Sequence, residues 1–237
     1  MIEICGCKDC NKSKLSCARN ISIFASLTDN ELKDVVNTVK RKEYIKGEII
    51  CREGEILNKL LLIRDGKIKI SKMTKDGKEQ ILHILSEGEF FGELNLVNSS
   101  IHNFNAQAIK NCKICSLSNE EMKNIIMKNP QIGIKLLQSV GERLDSIENL
   151  AQNLATNDAD SRVAYLLIDL LEKSGNINSD KKEINIQMSR EDMANCVGVT
   201  RETLSRKLRS FEDEGLIKIV KIKQILILDE EGLRDYI

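Results

Sequence analysis

Residues 188–228 read MSREDMANCVGVTRETLSRKLRSFEDEGLIKIVKIKQILIL. Ser189 can cap a helix running through about Val197. Gly198-Val199-Thr200 then supplies a tight turn whose threonine can cap a second helix, from Arg201 to about Glu214. A short helix, a glycine-containing turn and a second helix make a helix-turn-helix. The two strand-like runs of IKIVKIKQILIL make a wing after it. In such a unit the first turns of the second helix enter the major groove of DNA. The positions concerned are Thr200, Arg201, Glu202, Ser205 and Arg206, with Lys207 and Arg209 close by, while Leu204, Leu208 and Phe211 fall on the core-facing side. Arginine donates two hydrogen bonds to guanine O6 and N7, glutamate accepts from the cytosine amino group, and serine meets either kind of edge. Each good pair discriminates by about 1–3 kcal/mol. A helix that met only phosphates would have no use for Glu202.

Upstream, ATNDADSRVAYLLIDLLEKSG (155–175) opens the domain that carries this motif, with Asp158 or Asp160 as helix cap. Before it, Leu137, Val140, Leu144, Ile147, Ala151 and Leu154 recur at alternating spacings of three and four. An amphipathic helix packed on its own domain shows a similar short stripe, but the strict alternation favours a seam between two chains. A dimerisation helix is therefore expected over 131–156, just after the punctuating Pro130, with the DNA-binding domain at 157–237. Residues 21–130 differ in kind. Thr28 and Glu31 form a capping box for a short helix. Glycines at 47, 54, 66, 77, 88 and 92 then separate short apolar runs. Asp65-Gly66 and Asp76-Gly77 carry the strongest short hairpin signal, and KIKISKM (67–73) alternates as a half-buried strand should. Short strands with regular turns predict a sandwich or jelly roll. The fold class expected is thus α+β.

The 36 basic and 36 acidic residues cancel, so any nucleic-acid surface must be local. The 41% hydrophobic content suffices for a core, and with aromatics at 3% it is filled by Ile, Leu and Val. No apolar run reaches membrane-spanning length, and the N-terminus lacks a signal-peptide layout, so a cytoplasmic protein without membrane contact is expected. In a reducing compartment, clustered cysteines bind metal or do redox work more often than they form disulfides. Cys51 and Cys196, alone among apolar neighbours, read as small buried hydrophobes. Cys5, Cys7, Cys10 and Cys17 do not, because the arm 1–20 (MIEICGCKDCNKSKLSC…) is too polar to bury them. His83 and His102 are the only histidines, and no nucleophile–base constellation is present, so an enzyme is not expected.

The whole chain from about residue 21 resembles the Crp/Fnr family of bacterial transcription regulators. The resemblance rests on the glycine-punctuated β-roll, GEFFGELNLV, the long central helix and VTRETLSRKL. It implies a cyclic-nucleotide-binding-like β-roll, a dimerisation helix, a C-terminal winged helix-turn-helix, and double-stranded DNA, a second copy and RNA polymerase as partners. Cyclic-nucleotide members follow the GEL segment with an Arg-Ser pair that grips the phosphate. Here Glu93 is present but His102 and Asn103 stand in the place of that pair, so a cyclic nucleotide is not expected. The arm resembles the oxygen-sensing branch, which holds a [4Fe–4S] cluster on three arm cysteines and one from the β-roll. Carried onto this chain, the ligands are Cys7, Cys10, Cys17 and Cys115, with Cys5 and Cys112 as alternates. The six residues between Cys10 and Cys17 are one more than in the best-known oxygen sensor, a cheap insertion in a flexible arm. Four thiolates also suit tetrahedral Zn²⁺. A disulfide switch at CKIC (112–115) or CKDC (7–10), or another small-molecule effector in the β-roll, is a further alternative. The resemblance implies that oxygen or nitric oxide destroys the cluster and loosens the dimer. It leaves the half-site open between a TGTGA-like sequence and a hybrid with TTGAT, because Arg201 is typical of the cyclic-nucleotide branch.

Overall fold

The computed structural model describes residues 18–96, 101–155, 158–174 and 182–237. The arm cysteines Cys5, Cys7, Cys10 and Cys17 lie outside them, as do the expected boundary at 156/157 and the side chain of Leu154. The chain forms two compact units. One comprises the chain up to Lys72 together with Leu82–Leu144; the other comprises Met73–Ile81 and Asp145–Ile237.

In the first unit, helix α1 (Asp29–Thr38) starts at the Thr28–Glu31 capping box. Strands β1 (Lys40–Tyr44), β2 (Ile49–Cys51), β3 (Lys59–Asp65), β4 (Lys67–Met73), β5 (Glu79–Ser86), β6 (Phe90–Phe91), β7 (Asn105–Ala108) and β8 (Cys112–Ser118) follow. They form two sheets, ordered β1-β8-β3-β6 and β2-β7-β4-β5. The apolar run of β3 is buried on both faces for a visible reason. Leu61 and Ile63 belong to one apolar cluster, with Ile68, Ile70, Phe91 and Ile114. Leu60 and Leu62 belong to another, with Phe24 and Leu32 from the segment before β1 and Ile132 and Leu136 from the second helix after β8.

The two Asp-Gly pairs diverge. Asp76-Gly77 turns a hairpin between sheet neighbours β4 and β5, closed by Thr74 N–H to Lys78 O at 2.8 Å. Asp65-Gly66 does not make the expected hairpin, because β3 and β4 lie in different sheets. Gly66 is the corner between them, at φ 98°, where a Cβ would stand 2.4 Å from the Asn111 carbonyl oxygen. Strand β4 also departs from a half-buried pattern, since Lys69 and Ser71 on its second face are buried as well.

Helix α2 (Asn119–Lys128) begins at a Ser118–Glu121 capping box. Pro130 does not merely precede the long helix but occupies its first position: α3 runs Pro130–Ala155. In the second unit, α4 (Ala159–Ser174) is capped by Asp158, whose carboxylate accepts from the N–H groups of Asp160 and Ser161. Strand β9 (Lys182–Asn185), α5 (Arg190–Val197), α6 (Arg201–Asp213), β10 (Ile217–Lys221), β11 (Gln224–Ile227) and α7 (Glu230–Arg234) complete it, with strands ordered β10-β11-β9. Among the described residues no helix is long and apolar enough to cross a membrane.

Candidate nucleic-acid interface and the β8 cysteines

The turn between α5 and α6 is built from local chemistry. Ser189 accepts from Asp192 N–H at 3.0 Å while the Asp192 carboxylate reaches back to Ser189. Gly198 ends α5 in the left-handed conformation at φ 65°, ψ 37°, and donates to Ala194 O. Thr200 caps α6, accepting from Thr203 N–H at 3.2 Å. Leu204, Leu208 and Phe211 bury one side of α6. That burial fixes the helix phase and leaves Arg201, Glu202, Ser205, Arg206 and Arg209 exposed together. Lys207 is different: its ammonium donates to Asp160 at 2.5 Å and is about three-quarters covered. It ties α6 to the start of α4, and its charge is already balanced within the chain. The wing adds Lys218, Lys221 and Lys223, all exposed, which the reading of the recognition helix alone did not single out.

On α3, Ile132 and Leu136 face the β-roll core. The opposite side shows Leu137, Leu144 and Ile147 at 73%, 54% and 44% exposure. Ala151 is exposed with them and Val140 is half-buried at the edge of the stripe. The side chains expected to form a seam are thus uncovered within one chain.

Strand β8 presents its two cysteines to opposite layers, as residues three apart on a strand must. Cys112 is buried in the intersheet cluster. Its thiol donates to the Lys67 and Lys110 carbonyls at 3.2 and 3.0 Å, and burial pushes its pKa up. Cys112 thus lies in the layer between the sheets, on the opposite side of β8 from Cys115. A Cys112–Cys115 disulfide would need both side chains on one face. Cys115 is half-buried against the other cluster, which also receives Ala18 and Ile21. Its strand partners are Arg41 and Leu62. Cys51 is buried and its thiol is pushed up to about 11, chiefly by burial, as suits a packing residue. Among the described residues no three His, Cys, Asp or Glu side chains converge as a metal site.

Glu93 has a cation that sequence reasoning missed. The Arg143 guanidinium, from α3, donates to the Glu93 carboxylate and to the Phe90 carbonyl, and lies 5.1 Å over the Phe90 ring. The pair is largely buried, at 19% and 11% side-chain exposure, and the second Glu93 oxygen has no hydrogen-bond partner. One signal was available: Ile132, Leu136, Ser139 and Arg143 share the core-facing spacing of the helix, and an arginine is out of place there. His102 is buried and packs against Phe104 with ring centroids 4.7 Å apart. Burial lowers its pKa, against the opposing pull of Glu55 and Glu93.

Residues 41–129 match the cyclic nucleotide-binding domain family, and residues 161–236 match the Crp-like helix-turn-helix domain family. Electron transport regulator A of Shewanella oneidensis is 30% identical, over 96% of this chain and 88% of that protein. The fumarate and nitrate reduction regulatory protein of Escherichia coli is 28% identical, over 96% of this chain and 88% of that protein. The CRP-like cAMP-activated global transcriptional regulator of Mycobacterium tuberculosis is 27% identical, over 89% of this chain and 94% of that protein. These relatives are regulators rather than enzymes. With a β-roll, a long helix and a capped helix-turn-helix in that order, the chain belongs to the Crp/Fnr family of DNA-binding transcription regulators.

Proposed function

We propose that the chain is an Fnr-type regulator: a cytoplasmic homodimer that binds pseudo-palindromic promoter DNA, recruits RNA polymerase, and is controlled by an oxygen- or redox-labile [4Fe–4S] cluster on Cys7, Cys10, Cys17 and Cys115. The observation that carries the reading is the position of Cys115. It packs on the same apolar cluster as Ala18, at the described end of the arm, and Ile21, which follows it, so the thiol faces the layer at which the arm joins the β-roll. The match to the fumarate and nitrate reduction regulator covers 96% of the chain and must run into the arm, whereas the match to the cAMP-activated relative covers 89% and need not. A cyclic nucleotide fits poorly, because His102 is buried where the phosphate-gripping arginine would stand and Glu93 is already engaged by Arg143.

When bound, the cluster supplies an oxygen-sensitive centre with the cysteine count that such clusters require. The chain's own residues do the rest. Arg143 holds α3 on the β-roll with Ile132 and Leu136 inward, so that Leu137, Leu144 and Ile147 face outward for a second copy. Pairing presents two α6 helices to half-sites about 34 Å apart. Moving the dimer equilibrium from mostly off to mostly on takes about 5 kcal/mol, a scale that ordering an arm by metal binding can meet.

The test is purification without air, followed by an absorption spectrum, iron and sulfide analysis, and DNA binding before and after air. The wild-type chain should be brown, carry about four irons per chain, and lose DNA binding in air. Cys115→Ser should lose the chromophore, while Cys112→Ser keeps it. A colourless, zinc-loaded or metal-free wild type, or normal iron in Cys115→Ser, overturns the proposal.

A further inference from the structure

Helix α6 is held to its domain by two kinds of contact. Leu204, Leu208 and Phe211 bury one stripe. Apolar burial is non-directional, so by itself it tolerates a small roll about the helix axis. Directional ties remove that freedom. Lys207 donates to the Asp160 carboxylate at 2.5 Å, with both side chains largely covered. Glu214, which closes α6, accepts from the Tyr236 hydroxyl at 2.6 Å and from the Ser210 hydroxyl at 3.0 Å. Lys207 and Glu214 are seven positions apart, two helical turns, so both stand on one border of the buried stripe. Arg201, Glu202, Ser205 and Arg206 lie outside that stripe, on the exposed face.

Both ties lead back to α4. Asp160 sits in its first turn, two residues after the Asp158 cap, where the helix N-terminus favours a carboxylate. Tyr236 follows α7, whose Arg234 pairs with Glu172 of α4 at 2.8 Å. The Tyr236 ring meets Phe211 edge-on, with centroids 5.1 Å apart. Its hydrogen bond to Glu214 is the chief cause that raises the Tyr236 pKa, and Asp160 and Asp158 add to it. The Tyr236 and Ser210 hydroxyls hold the Glu214 carboxyl low, with Lys207 contributing. The start of α4, the flank of α6 and the residue after α7 therefore share one electrostatic cluster. Side-chain tips about 5–6 Å from a helix axis move by about 1 Å for a roll of about 10°. Two-point hydrogen bonding to a base edge is lost over such a shift.

We infer that Lys207 and Asp160, braced by Tyr236, are positioning residues for sequence recognition. Without touching a base they fix the roll of α6, and with it the base edges that Arg201, Glu202, Ser205 and Arg206 reach. Lys207 acts through Asp160 rather than on a phosphate, because its ammonium is already committed to a carboxylate within the chain. The inference rests on the DNA-binding reading of α6.

The test uses the full chain purified without air, the duplex it selects from a random pool and an unselected duplex of equal length. Affinities are measured by anisotropy over a salt series. Lys207→Met and Asp160→Asn should each weaken binding to the selected duplex about tenfold and leave the unselected duplex unchanged. The slope of log K against log salt should remain that of the wild type. The double variant should lose no more than either single one, since the two groups act as a unit. Tyr236→Phe keeps its ring on Phe211 and should lower the selected-to-unselected ratio about threefold. A ratio of two affinities in one preparation does not depend on the fraction of folded chain. If Lys207→Met gives no folded protein, the double variant and Tyr236→Phe decide by the same ratio. The sign at Asp160 separates the alternatives, because removing a carboxylate near DNA ordinarily tightens binding to every duplex. If Asp160→Asn tightens both duplexes and Lys207→Met flattens the salt slope by about 1, Lys207 is a phosphate ligand and the inference is overturned. It is overturned equally if both variants keep the wild-type ratio. If the wild type selects no DNA, the DNA-binding reading falls with it.

Discussion

Helix α6 turns Arg201, Glu202, Ser205, Arg206 and Arg209 to solvent, whereas α3 turns Leu137, Leu144 and Ile147 outward. Both helices spend their other side on a core, Leu204, Leu208 and Phe211 in one case and Ile132 and Leu136 in the other. What remains uncovered differs in chemistry, and that difference names the class of partner. Exposed arginines beside a carboxylate and a hydroxyl gain hydrogen bonds from base edges. Exposed leucines at heptad spacing gain only by meeting more leucines. On the proposed function, one helix is completed by nucleic acid and the other by a copy of itself.

The contrast can be broken most severely at α3. Leu137→Glu combined with Leu144→Glu should leave the chain folded but monomeric by sedimentation. Affinity for a duplex with two half-sites should fall by about 10²–10⁴-fold, with little change on a single half-site. Tight binding by that monomer would show that the apolar stripe is not the pairing surface. A smaller effect is expected where α3 is held to the β-roll. Arg143→Leu leaves the largely buried Glu93 carboxylate without its cation and should cost about 2–3 kcal/mol in chemical denaturation. Adding Glu93→Gln should recover much of the loss; a recovery of nothing would mean that the guanidinium acts through Phe90 instead. At α6, Arg206→Ala should cost about 1–3 kcal/mol at one guanine-containing position. An equal loss on every sequence would make Arg206 a phosphate contact and blur the distinction between the two faces.

Legibility followed the range of the interaction. Ser189, Thr200, Asp158 and the Thr28–Glu31 box act on backbone groups two or three residues away, so composition and spacing carried them. The same holds for the inward Leu204, Leu208 and Phe211. The corner at Asp65-Gly66 was misread because a dipeptide specifies a reversal but not which strand lies alongside afterwards. Lys207 counted among the DNA-facing positions until folding brought Asp160, 47 positions earlier, against its ammonium. Arg143 and Glu93 are 50 positions apart, and no local rule pairs them. Lys69 and Ser71 alternate with Ile68 and Ile70 as an outward face would, yet tertiary packing covers both sides of that strand. Long-range placement, rather than residue type, is what the chain conceals.

The corner at Gly66 also sets the accessibility of Cys112. A methyl group at position 66 would come within 2.6 Å of the Cys112 sulfur, and the thiol is pinned to two backbone carbonyls on its remaining sides. Burial, which also pushes the Cys112 thiol's pKa up, thus shields it from an alkylating reagent while the β-roll is closed. Chemical labelling of Cys112 becomes a record of whole-barrel opening, separable in a single peptide from any change at Cys115, which is three residues along the same strand and turned the other way.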